Sequence, residues 1–281
     1  MASTFITHLK DYLQRVEDFP ARKNVFTIGD SWFQYPLRLF PDLQTRLSAD
    51  ACFGRRANIL DDSSPGRDAK DVSKHIALWR DVAGVLHDRG RPFAAILLSL
   101  GGNDVIGRDF EKHLRDGSGV SRADWPWNDD VPALVRRWLN LVALRQTFED
   151  VADAYLKIVA LRDAFASGAT IVTHTYASVT PMDSPYKFAG LRAGPWIWKY
   201  GHKRGIADAD QKILVDWLLE SFANRLEALA QQTSDPARFI VLDTRRELPD
   251  PAEWDNEIHP KGAGFVHLAD AFWFPVLDPL L

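Results

Sequence analysis

The sequence predicts an α/β fold: a three-layer α/β/α sandwich around a five-stranded parallel sheet, with helical and aromatic-rich insertions. Three observations lead there. Five short stretches read as buried strands, and four of them are continuous apolar or β-branched runs, the pattern of strands covered on both faces. Helical stretches alternate with these runs, which is the chain order of a parallel sheet. The connection after the third strand takes about 70 residues and the next about 60, where a minimal crossover needs about a dozen.

The first helix is expected within MASTFITHLKDYLQRVEDF, which is amphipathic and charged. It lacks the unbroken apolar run of a secretory leader. Asn24–Ile28 is the first strand and stops at Gly29-Asp30-Ser31. Ala57–Asp61 is the second, with two aspartates at its end. Asp68–His87 carries Val72, Ile76, Trp79, Val82 and Leu86 at helical spacing, and Gly90 stops it. Phe93–Leu100 is the third strand. Val131–Ala166 is expected to be one long helix, starting behind Asp129 and Asp130 with Pro132 in its first turn. Thr170–Thr175 and Phe239–Leu242 complete the sheet, and helices are expected over Ala207–Gln232 and Gly262–Phe274. With no repeat, low-complexity tract or linker, residues 1–281 are expected to form a single domain with insertions at about 105–168 and 176–237.

Composition excludes several function classes. Lys plus Arg total 34 against 38 Asp plus Glu, a net charge of −4, so no electrostatic grip on nucleic acid is expected. A single cysteine, Cys52, excludes an internal disulfide and a multi-cysteine metal cluster. No stretch reaches the ~18 apolar residues of a membrane span, and the expectation is a cytoplasmic protein. The eight histidines show no metal-ligand spacing. No phosphate-binding glycine-rich loop is present, and neither a metal nor another cofactor is expected.

Polar residues gather where strands end: GDSW (29–32), DDSSPGRD (61–68), SLGGND (99–104) and, before the last helix, WDNEIHP (254–260). In a parallel sheet all strand C-termini share one edge, where open α/β sheets bind ligands. Ser31 after the first strand and Asn103 after the third are therefore expected to be neighbours, with His259 swinging over the same edge. Ser31 alone reads as a helix N-cap, but the set is complete for acyl transfer. A serine hydroxyl needs a neighbouring base, and histidine suits neutral pH. The Ser31 and Gly66 backbone N–H groups and the Asn103 amide can hold an oxyanion. Asp30 and Asp104 read as loop-bonding aspartates, and His174 as a hydrogen-bonded structural histidine. Gly-x-Ser-x-Gly fails because Phe33 stands where glycine is needed.

The order Gly-Asp-Ser, Gly, Gly-x-Asn-Asp and His-Pro resembles the SGNH (GDSL) hydrolase superfamily, with Ser31, Gly66, Asn103 and His259 on its four blocks. The resemblance implies a flavodoxin-like sandwich, metal-independent esterase or lipase activity through an acyl-enzyme, and a small-molecule or lipid-like ester as substrate. Family members usually carry aspartate three residues before the histidine. That position is Asn256 here, with Asp255 one place earlier and Glu257 after; Asn256 is favoured as the residue that orients His259, with Asp255, a backbone carbonyl or a distant residue as the alternatives. A thioesterase or deacetylase with the same site, or a catalytically weak binding member, are the alternatives. Trp32 follows the nucleophile, and Trp125, Trp127, Trp196 and Trp198 lie in the two insertions. These five are the candidate substrate-contacting residues.

Overall fold

A computed structural model of the chain describes residues 5–6, 9–35, 42–48, 53, 55–107, 109–117, 131–188 and 191–281. In chain order the first half contains β1 (Phe5–Ile6), α1 (Leu9–Asp18), β2 (Lys23–Gly29), α2 (Leu43–Leu47), β3 (Ala57–Ser63), α3 (Val72–Asp88), β4 (Phe93–Ser99) and α4 (Gly102–Ile106). The second half follows with α5 (Ala133–Trp138), α6 (Leu141–Phe165), β5 (Thr170–His174), the hairpin β6 (Tyr186–Phe188) and β7 (Leu191–Ala193), and α7 (Trp198–Lys203). It closes with α8 (Asp208–Gln232), β8 (Phe239–Leu242), α9 (Gly262–Leu268) and α10 (Phe274–Leu277).

The main sheet runs β1-β3-β2-β4-β5-β8, and every pairing in it is parallel. All five expected strands are in it. The two-residue β1 adds a sixth at the edge, pairing Phe5 with Ile59 and Ile6 with Leu60; so short a strand leaves no periodicity to read.

Alternate residues of β2 face opposite layers, as a pleated strand requires. Phe26 meets Trp79 of α3 edge-on, with ring centroids 5.5 Å apart. Val25 and Thr27 line a small apolar cavity with Leu47 of α2 and Leu277 of α10 on the other face. Helix α3 packs on α6, and α6 on α8. One continuous cluster of buried apolar residues joins both layers to the sheet.

Two helices differ from expectation. The stretch expected as one helix over Val131–Ala166 breaks at Leu139–Asn140. Leu139 bridges to Leu114, and Asn140 caps α6 by accepting a bond from the Ala143 N–H at 3.2 Å. An asparagine that can cap competes with continuation of a helix through it. The last helix extends past Phe274 to Leu277 and contains a π-helical turn at Ala269–Trp273.

Candidate active site

Ser31 sits in the tight turn that follows β2, and a buried carboxylate holds that turn together. Asp30 accepts from the Trp32 N–H at 2.9 Å, the Ser99 hydroxyl at 2.9 Å and the Tyr176 hydroxyl at 2.6 Å. Its own N–H donates to the Ser99 carbonyl, and its carbonyl accepts from Gln34. Burial pushes the Asp30 carboxyl up to about 6, against the lowering effect of these bonds. Beneath it, His174 meets the Ser99 hydroxyl at 2.9 Å, and burial pushes this imidazole down to about 3. The network fixes the backbone on which Ser31 stands, so Asp30 and His174 work through structure.

His259 lies on a loop closed by the Trp254–Pro260 bridge and by the Asp255 N–H donating to the His259 carbonyl at 2.9 Å. Its Nε2 is 2.7 Å from Ser31 Oγ, and its Nδ1 is 2.8 Å from Asn256 Oδ1. The orientation of the Asn256 amide follows from its other partners. Oδ1 also accepts the Ile258 and His259 N–H groups, each at 3.2 Å, and Nδ2 donates to the Tyr35 hydroxyl at 3.0 Å. Flipping the amide would set its NH2 against two N–H donors. The oxygen therefore faces His259, the proton resides on Nδ1, and Nε2 presents its lone pair to the Ser31 hydroxyl. Burial pushes His259 down to about 3, so the resting imidazole is neutral.

Asp255 does not reach the imidazole. Its Oδ2 accepts a 2.5 Å bond from the Tyr35 hydroxyl, and the residue itself is exposed. Of the two residues considered as orienters, Asn256 is the one in contact with His259.

Besides the Ser31 N–H, the oxyanion candidates come from the strands on either side of β2. Asn103 lies in the first turn of α4, after β4, and its Nδ2 donates to the Arg67 carbonyl at 3.2 Å. That contact ties it to the turn in which the Arg67 N–H bonds the Ser64 carbonyl, with Pro65 and Gly66 at the centre. Gly66 has φ +72, the left-handed conformation that the third residue of a type II turn requires. Gly101, at φ +103, starts α4 where a Cβ would lie 2.6 Å from Phe222 of α8. Glycine there lets the chain turn Asn103 back toward β2.

The tryptophans divide. Trp32 is 4% exposed, wedged among Tyr176, Trp254 and Phe265, and its indole N–H donates to the Ile258 carbonyl at 3.1 Å. It braces the His259 loop from below, and it is as buried as Ser31 and His259 themselves. Trp196 presents an edge-to-face contact to His259, centroids 5.6 Å apart. Trp198 turns away, stacked on His202 and bonded to Asp208. Trp125 and Trp127 lie outside the described residues.

Sequence reading missed two residues. Tyr35 ends the turn that begins at Asp30, four places after Ser31, inside an aromatic run that reads as core. Glu257, fully buried, accepts four backbone N–H bonds: from Trp196 at 2.5 Å, Trp198 at 2.6 Å, Ile197 at 2.8 Å and Met182 at 3.3 Å. Burial pushes this carboxyl up to about 7 in spite of those donors. Its only sequence signal is an acid between Asn256 and Ile258, two residues before the histidine.

No protein-family model matches the sequence, and no curated protein matches it. Solved structures do match. A lipase from a goat rumen metagenome superposes with a TM-score of 0.50 at 11% identity, covering 88% of this chain and 94% of the lipase. The chain has the fold of a solved lipase. A phospholipase A1 from Streptomyces albidoflavus gives 0.49 at 13% identity, covering 93% of this chain and 100% of its own. The extracellular lipase of Streptomyces rimosus gives 0.46 at 13% identity, with 92% and 100% covered. At these identities the likeness concerns fold, and the parallel sandwich implied by the SGNH resemblance is the fold observed. Among the described residues no helix is long and apolar enough to cross a membrane, and no group of three or more His, Cys, Asp or Glu side chains is arranged to hold a metal ion.

Proposed function

We propose that this chain is a serine hydrolase of the SGNH superfamily that cleaves a carboxylic ester through an acyl-enzyme. The observation that carries the reading is the bonded series Ser31 Oγ, His259 Nε2, His259 Nδ1, Asn256 Oδ1, with both contacts under 3 Å. A packing serine has no use for a buried imidazole in the one tautomer that accepts its proton.

The chemistry follows from those positions. Ser31 Oγ attacks the ester carbonyl carbon while His259 Nε2 takes the hydroxyl proton. The carbonyl π pair moves onto oxygen, where the N–H groups of Ser31 and Gly66 and the Asn103 amide stabilise it. Asn103 supports this role because an amide carries two N–H bonds, and a single one serves the Arg67 carbonyl. Collapse expels the alkoxide, which receives the proton from Nε2. Water then repeats the sequence on the acyl-enzyme, with His259 as base, releasing the acid and restoring Ser31. Each step uses proton transfer and N–H donors and calls on no cofactor. Trp196, against His259, is the better placed of the described insertion tryptophans to touch a small-molecule or lipid-like ester.

The test is a fluorophosphonate, which should label Ser31 alone, together with turnover of p-nitrophenyl esters of graded chain length. Ser31→Ala should fold and lose about 10³-fold or more of the activity, the scale of losing a nucleophile. Labelling at another serine, or an active Ser31→Ala protein, overturns the proposal.

A further inference from the structure

An asparagine beside the histidine leaves a chemical deficit. When His259 takes the Ser31 proton it becomes a cation in a buried site, and the neutral Asn256 amide supplies a dipole where a carboxylate would supply charge. Four further contacts bear on this. Asn256 Nδ2 donates to the Tyr35 hydroxyl at 3.0 Å and, at a longer 3.4 Å, to Asp255 Oδ2, Tyr35 donates to Asp255 Oδ2 at 2.5 Å, and Tyr35 packs edge-on against the His259 ring with centroids 4.9 Å apart.

We propose that Tyr35 is a positioning residue that couples the Asp255 carboxylate to His259 through the Asn256 amide. The inference rests on the hydrolase reading above. Every donor in the series points the same way: His259 Nδ1–H to Asn256 Oδ1, Asn256 Nδ2–H to Tyr35 Oη, and Tyr35 Oη–H to Asp255. Aligned hydrogen bonds polarise one another. The carboxylate draws on the tyrosine proton, the tyrosine oxygen becomes the better acceptor for Nδ2–H, and the amide oxygen becomes the better acceptor for Nδ1–H. No proton moves along the series. Burial and the adjacent Asp255 charge raise the Tyr35 hydroxyl well above its ordinary range, so it stays a donor throughout. The exposed end also suits the arrangement, since Asp255 keeps its charge in contact with water and only its polarising effect is carried inward.

Among the described residues, the ionisable groups packed around His259 come from three elements. Its own loop carries Asp255 and Glu257, the turn after β2 carries Tyr35, and Tyr186 of the β6–β7 hairpin packs edge-on against Tyr35 with centroids 5.8 Å apart. Glu257 spends both oxygens on backbone N–H groups and is common to the variants below, so its titration cancels between them.

Tyr35→Phe keeps the ring and removes the shorter link, leaving the 3.4 Å bond from Asn256 Nδ2 to Asp255 Oδ2. It should lower kcat about 10-fold with KM unchanged, the scale of losing an outer partner of a functional histidine. Asp255→Asn should do the same, and the double variant should be no worse than either single one. In the fluorophosphonate adduct of Ser31, the His259 pKa read by NMR should fall by about one unit in each variant, which is the same factor of ten. Asn256→Asp, which places a charge directly on His259, should restore kcat in the Tyr35→Phe, Asp255→Asn background, where no second carboxylate stands beside it. Additive losses, an unmoved His259 pKa, or a KM effect alone would make Tyr35 a packing residue and overturn the inference. Failure of Ser31 to label overturns the hydrolase reading instead. The resting His259 Nδ1–H resonance still tests the coupling in that event, since it should shift in both single variants and an unshifted resonance refutes it.

Discussion

Glu257→Gln should cost this protein more than any other isosteric change near the site, and the geometry supplies the size. Oε2 accepts the N–H groups of Trp196 and Ile197, and Oε1 those of Trp198 and Met182. A glutamine offers one oxygen to one of these pairs and turns its NH2 against the other. Two buried N–H groups are then left facing a donor, and each unsatisfied group costs about 1–3 kcal/mol, so the total is about 2–6 kcal/mol. That is a large share of an ordinary folding free energy of about 5–15 kcal/mol. Urea unfolding at pH 8 is the assay, because the carboxyl is pushed up to about 7 and is mostly ionised there. Activity should respond as well, since the freed segment carries Trp196, whose ring abuts His259. Preference among p-nitrophenyl esters of different chain length should shift in the surviving folded fraction. A stability loss below about 1 kcal/mol would refute the four-donor argument. Unchanged chain-length selectivity would show that Trp196 needs no anchoring.

Asn103→Ala should lower kcat roughly 10²–10³-fold with little change in KM, the cost of one oxyanion donor; a change confined to KM would make it a binding residue. Gly101→Ala should destabilise by about 2–5 kcal/mol, combining left-handed strain with overpacking, because the new Cβ would fall 2.6 Å from Phe222; a loss under about 1 kcal/mol in urea unfolding would contradict that crowding. His174 ties acid sensitivity to burial: its folded value is pushed down to about 3 against 6.5 when exposed. Between those limits the unfolded chain holds the extra proton, so the stability present above 6.5 is lost as pH falls. Relative to His174→Asn, the wild type should lose up to about 1.4 kcal/mol more per pH unit from pH 6 to 4.5. Asp30, shifted upward to about 6, slopes the other way in both proteins. Parallel curves would show that the histidine is already solvated.

What the sequence made legible, and what it did not, follows from where the determining interactions sit. Asn24–Ile28, Phe93–Leu100 and Phe239–Leu242 announce themselves because burial on both faces forces an unbroken apolar run, a property each segment carries alone. The polar residues at their ends are legible for a related reason: a parallel sheet collects its strand ends whatever the loops do. Ser31, Gly66 and Asn103 follow neighbouring strands in the order β2, β3 and β4, with β2 in the middle. The break at Asn140 was hidden, since helical periodicity continues through it and the decision rests on one side-chain cap. The packing of Trp32 under the His259 loop was hidden for the opposite reason, as adjacency to Ser31 in sequence says nothing about which way a side chain turns out of a tight turn. Tyr35 and Glu257 act through partners more than 50 residues away, and neither has a local pattern. The substitution of asparagine at 256 is the one visible trace of the Tyr35 contact. An aspartate there would set a second carboxylate beside Asp255, and like charges so close could not both stay ionised at low cost. An amide can donate to Tyr35 while accepting from His259, which a carboxylate cannot. Asn256 and Asp255 therefore make sense as a pair, with the charge moved one residue outward and the tyrosine supplying bonds of 3.0 and 2.5 Å beside their direct one of 3.4 Å.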